Sequence, residues 1–130
     1  MPRHYKEAPL RQQVGQEVTP AMAEVFDLTA LSACPWAIRQ KNVFASGPGY
    51  KTRIIELAPG KTQPSCRMES SVIFVVLRGD VEVRVDGSRF ALDEGKCLVT
   101  APATIEMSST HGARLLGIQV AVPAAREQPL

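Results

Sequence analysis

Cys66, Met68, Glu106 and Met107 are the residues of this sequence whose types invite chemistry. A thiol at Cys66 becomes a nucleophile only where a cation or base lowers its pKa. Its charged neighbour, Arg67, points to the opposite face of an extended strand, so a buried, inert thiol is the alternative reading. Cys66, Met68 and Met107, with His111 as a possible fourth donor, would suit Cu(I) better than Zn(II) or Fe(II). Methionine and buried cysteine are also ordinary core filling. Glu106 could act as a general acid or base if desolvation raised its pKa. That role requires it to face inward, and it fails if Met107 takes the inward place. His111 is the third catalytic candidate, and an exposed loop histidine is its plainer reading. An inward Arg53 could hold a carboxylate bidentately. Gln63, Ser70 and Gln119 offer neutral hydrogen bonds, and Phe74 offers an apolar wall. Trp36, Phe44 and Tyr50 could line a ligand mouth or cover the core.

These candidates need a scaffold, and composition bounds it. A chain of 130 residues, 45% hydrophobic and 22% charged, fits one globular domain. A net charge of +2 and an aromatic content of 5% do not suggest a nucleic-acid surface that stacks bases. No run of about 20 apolar residues could span a bilayer, and residues 1–18 lack the apolar core of a secretory signal, so a cytoplasmic location is expected. The three cysteines include no CxxC pair, which argues against a disulfide framework and against a structural zinc site. Gly47-Pro48-Gly49 and Pro59-Gly60 lack the lysine-serine context of a phosphate cradle.

Residues 1–18 are mostly polar and read as an N-terminal arm. Thr19-Pro20 looks like a cap and first-turn proline opening a short helix, with an edge strand over residues 25–28 as the alternative. Beyond Tyr50, short β-rich runs alternate with turn signals: 51–58, 71–78, 81–86, 89–92, 97–101, 105–109 and 113–120. The cleanest alternation places Val81, Val83 and Val85 on one face and Glu82, Arg84 and Asp86 on the other. Seven or eight short strands at this spacing predict an all-β sandwich or barrel of the jelly-roll kind.

Between about residues 47 and 120, the order of these features resembles the cupin superfamily of small β-barrels. Its first motif runs glycine, five residues, His-x-His, three or four residues, glutamate, six residues, glycine. Here Gly60 is followed at those spacings by Cys66-Arg67-Met68, Val72 and Gly79. The second motif resembles residues 87–107, with the remaining histidine expected near Glu106 or Met107. Where the resemblance implies His, His, Glu and His as metal ligands, this chain has Cys66, Met68, Val72 and either Met107 or Glu106. Only two histidines exist in the chain, His4 and His111, so one protomer cannot supply three imidazoles.

The sequence therefore predicts a single-domain, cupin-like jelly-roll β-barrel: an arm over 1–18, a barrel over 19–122 and a tail over 123–130. The expected function is metal-independent binding of a small organic molecule, without cofactor, nucleic acid or membrane. Cys66, Met68, Phe74, Met107, Arg53, Gln63 and Gln119 would contact it. One alternative is a cyclase, isomerase or lyase using Glu106, Cys66 and His111; another is a ligand-sensing or structural module in a larger assembly. Apolar strand faces beyond what one barrel interior consumes suggest a homodimer.

Overall fold

Alternation decides which side chains enter the interior. Along the strand Ser71–Val85, Val72, Phe74, Val76, Val81 and Val83 are buried, while their neighbours are half-buried or exposed, the pattern of a strand with one dry face. The computed structural model describes residues 23–121. Within that range, two short 3-10 turns merge over Trp36–Asn42 and eight strands follow: β1 Val43–Gly47, β2 Tyr50–Leu57, β3 Lys61–Arg67, β4 Ser71–Val85, β5 Ser88–Asp93, β6 Cys97–Thr100, β7 Thr104–Ser109 and β8 Ala113–Val120. The proposed arm and tail lie outside the described residues.

The long strand β4 belongs to two antiparallel sheets. Its first half pairs with β6 and β8, and β8 continues through β2 to β1. Its second half pairs with β5 and β7, and β7 continues to β3. The sheets curl toward each other as a jelly-roll half-barrel, and their inward faces share one core that includes Ile55, Val76, Val83, Met107 and Leu115. Among the described residues, no helix is long and apolar enough to cross a membrane.

Two readings of the sequence need correction. Residues 71–86 do not form two strands separated by Gly79-Asp80: Gly79, at φ +83°, bends β4 without ending it. The true hairpin turn is Asp86-Gly87, with φ 50° and 91°, an Asp-Gly pair suited to a two-residue turn. Nor is there a helix after Thr19-Pro20 within the described residues, since 23–27 lack regular structure and a turn follows. Asp27 builds that turn by accepting hydrogen bonds at Oδ1 from Thr29 N at 3.1 Å and Thr29 Oγ1 at 2.8 Å, and these hold its carboxyl below the usual range. Phe26 packs on Phe44 with ring centroids 4.9 Å apart, so this segment covers the outer side of the first sheet.

Strand β1 was not legible, and β3 only at its end, where the sequence puts Cys66 and Arg67 on opposite faces of a strand. Lys61–Arg67 has no apolar alternation, and it is an edge strand paired only with β7, where Pro64 is tolerated. A β-bulge between Gln63 and Cys66 sets Gln63 opposite Met107 and Cys66 opposite Ile105. Directly opposed residues share a face, so this bulge turns two residues of odd spacing toward the same interior.

Asn42 fastens the start of β1. It is 6% exposed, its Oδ1 accepts from Cys34 N at 2.6 Å and its Nδ2 donates to Cys34 O at 3.0 Å. Asn42→Ala leaves both backbone groups of Cys34 without a partner, with an expected cost of about 1–3 kcal/mol. Urea unfolding checks this, and because Trp36 lies in the clamped turn, its fluorescence should report the loosening.

Candidate functional site

The inward faces of the two sheets enclose a cavity of about 350 Å³, within the range that holds small organic molecules. Register fixes what lines it. On the first sheet, Arg53 lies opposite Gly117, and Gly117 lies opposite Phe74; Gln119 lies between Lys51 and Val72 in the same way. On the second sheet, Gln63 and Cys66 face in beside Met107 and Ile105. Met68 packs against the core next to them, its N–H donating to Ala103 O at 2.8 Å.

All seven residues named as ligand contacts therefore line one cavity: Arg53, Gln63, Cys66, Met68, Phe74, Met107 and Gln119. The catalytic candidates are not brought together. Met107 takes the inward place, so Glu106 faces outward, opposite Arg84, and the condition for an acid/base role in the cavity fails. His111 stands at the far side of the second sheet, its side chain 79% exposed and its Nδ1 3.8 Å from Asp80 Oδ2. Cys66 has no histidine beside it; its Sγ makes a long contact of 4.0 Å to the carbonyl of Arg67, and Arg53 is the cation close enough to interact with it electrostatically. Cys97, on the opposite side of its sheet beside Val75, does not approach it, and all three cysteines are free.

Three polar side chains of the lining are joined to one another. Arg53 Nη2 donates to Gln119 Oε1 at 3.1 Å, and Gln119 Nε2 donates to Ser70 Oγ at 3.3 Å. This relay holds the half-buried guanidinium against the cavity wall. Burial lowers the Arg53 pKa from its ordinary value, and the like charge of Arg39 adds to the effect; an arginine nonetheless stays protonated in proteins. Arg39 is itself fixed at the mouth, stacked 4.3 Å over the Trp36 ring and donating to Trp36 O at 3.0 Å. No sequence pattern marks Arg39, because a 3-10 turn has no periodicity that assigns a face. Gly117 was also missed: a Cβ there would meet Ile55 Cδ1 at 3.0 Å and Phe74 Cε1 at 3.6 Å, so the glycine leaves those two side chains room to pack beside Arg53.

The fold family implies a metal at the positions of Cys66, Met68, Val72 and Met107. The structure brings all four to one cavity, but they supply one thiol, two thioethers and an isopropyl group. That set does not fit a site built for Zn(II), Fe(II) or Mn(II), which take imidazole, carboxylate or several thiolates. Among the described residues, no group of three or more His, Cys, Asp or Glu side chains is placed to hold a metal ion.

No protein-family model matches the sequence, and no curated protein sequence matches it. Solved structures do match the fold. A cupin superfamily protein of Desulfitobacterium hafniense superposes with a TM-score of 0.57 at 14% identity, over 62% of this chain and 74% of that one. A conserved protein of unknown function from Streptococcus pyogenes gives 0.61 at 15% identity, over 88% of this chain and all of the other. A cupin protein of Bacteroides fragilis gives 0.52 at 22% identity, over 62% and 73%. The strand order, the corner in β4 and these likenesses agree: the chain has the cupin fold, with sulfur and aliphatic side chains where that fold places its metal ligands.

Proposed function

We propose that the barrel binds a small organic molecule without a metal. The observation that carries this reading is the distribution of polarity in the cavity. Cys66, Met68, Val72 and Met107 form apolar lining with Phe74 and Ile105, and Arg53, Gln119 and Ser70 supply a linked set of hydrogen-bonding groups beside it. Such a cavity takes up a molecule with an apolar body and orients it by its polar end. Neither Glu106 nor His111 faces the cavity to serve as acid or base there, and Cys66 has the cation Arg53 near it but, among the described residues, no histidine or carboxylate to take its proton, so binding is favoured over general acid/base catalysis.

The test uses the full chain in two measurements. Ligand-observed NMR against a mixed set of small organic molecules should find binders whose signals are lost in Cys66→Trp, which fills the cavity from its partly exposed side. Equilibrium dialysis of the reduced protein should show no stoichiometric uptake of Zn(II) or Cu(I) at micromolar metal. One equivalent of Cu(I), abolished by Met68→Leu or Met107→Leu, would overturn the metal-free reading. A set of binders unaffected by Cys66→Trp would place binding outside the cavity.

A further inference from the structure

Arg53 has an unusual position for a half-buried charge. Its one side-chain hydrogen bond goes to the neutral amide oxygen of Gln119 at 3.1 Å, and it forms no ion pair among the described residues. A guanidinium removed from water needs an opposite charge or a full set of acceptors. The cavity lining supplies the reverse: Arg39, Lys51, Arg53 and Arg67 stand against a single acid, Glu69. That acid is 84% exposed and lies 3.8 Å from Arg67, so it does not serve Arg53. Gln63 adds an independent sign. It is 6% exposed, it lines the cavity from the facing sheet, and its carboxamide has no hydrogen bond to another side chain or carbonyl of the described structure. Buried amides are normally satisfied, so this one too looks to whatever fills the cavity.

We propose that the cavity selects carboxylic acids: the free edge of the Arg53 guanidinium takes the carboxylate, and the apolar body lies against Phe74, Met68 and Met107. This rests on the small-molecule reading above and names its ligand class. A planar carboxylate matches the guanidinium fork. A phosphate or phosphonate would ask for more donors than one guanidinium, since the Arg39 donor that bonds Trp36 O is already engaged. Arg39 and Lys51 add attraction at the mouth without a second fork.

Titration of the ¹⁵N-labelled full chain with phenylacetate and hexanoate, each against its neutral amide and against phenylphosphonate, tests this. At least one acid should bind roughly tenfold or more tightly than its amide and more tightly than the phosphonate. Arg53→Met should bring that ratio close to one, and Arg53→Lys, which keeps the charge and loses the fork, should fall between. Loss of an unpaired buried charge should not lower the melting temperature, so the variants remain testable. Amides that bind as tightly as the acids, or a ratio unmoved by Arg53→Met, would overturn the acid class while leaving cavity binding in place. Tighter binding of phenylphosphonate would also overturn it. Absence of binding by every probe here, together with no binder lost in Cys66→Trp, would overturn both readings.

Discussion

Arg114→Met is expected to lower the unfolding free energy by about 3 kcal/mol, the lower part of the range for breaking a buried ion pair. Arg114 lies on the outward side of β8 yet is only 6% exposed, because the chain between Leu28 and Leu31 crosses over it. Its guanidinium donates to Glu56 Oε1 at 2.7 Å and to Leu28 O at 3.1 and 2.8 Å, and it also donates to Leu31 O. One planar group thus joins two carbonyls of an irregular segment to a carboxylate of β2. The loss stays at the lower end because Glu56 keeps a second partner, Arg78 Nη2, at 2.8 Å. The two carbonyls have no such substitute among the described residues. Arg114→Lys keeps the charge but cannot reach both carbonyls and Glu56 at once, so it should recover less than half of the loss. Urea unfolding with an unchanged m-value measures this. A midpoint for Arg114→Met within the error of wild type would show that the segment is held by packing alone.

The consequence reaches the cavity. The segment that Arg114 holds leads to Cys34, which Asn42 clamps, and then to the turn that carries Trp36 and Arg39 to the mouth. Trp36 is the only tryptophan in the chain. In Arg114→Met its fluorescence should therefore change at a lower urea concentration than the far-ultraviolet signal of the strands, a local opening that precedes global unfolding.

How much of this could be read from the sequence depends on whether local pattern or tertiary geometry decides a residue's place. The strands with clean apolar alternation were legible, because burial of one face is what makes them strands: Val81 and Val83 point inward as read. The cavity was legible through spacing, since the intervals from Gly60 to Gly79 match the resembled motif even where its ligand residues are replaced, and Cys66, Met68 and Val72 line one cavity as that spacing implies. Glu106 was ambiguous by one residue, and in a strand one residue inverts the face; only the pairing of Met107 with Gln63 and Val83 settles it. Strand β3 was illegible before Cys66-Arg67 because an edge strand broken by a bulge at Pro64 carries no period. Arg39 reaches the site from a turn, and Arg114 is buried by chain 83 and 86 residues away, a separation no local window spans.

Gly79→Ala should be the most damaging small substitution in the barrel, costing about 3–5 kcal/mol, the upper range for single changes. Two effects coincide there. The residue sits at φ +83°, and a Cβ built on it would lie 2.1 Å from Gly112 O and 2.9 Å from Ala113 Cα. Both obstacles are backbone, so no side chain can turn aside, and β8 itself would have to move. Gly87 separates the two effects: its φ is +91°, but a Cβ there meets nothing within 4 Å. Gly87→Ala should therefore cost only the conformational strain, about 1–2 kcal/mol. The difference between the two variants measures the close approach of β4 to β8 at the corner. That corner sets the angle between the sheet that carries Arg53 and the sheet that carries Gln63, and hence the shape of the cavity between them. If Gly79→Ala folds by moving β8, the carboxylate preference should weaken together with stability. In Gly87→Ala, whose turn lies outside the cavity, the preference should persist despite the lower stability. Equal losses of stability in the two variants would show that the corner tolerates a side chain and that the sheet angle is fixed elsewhere.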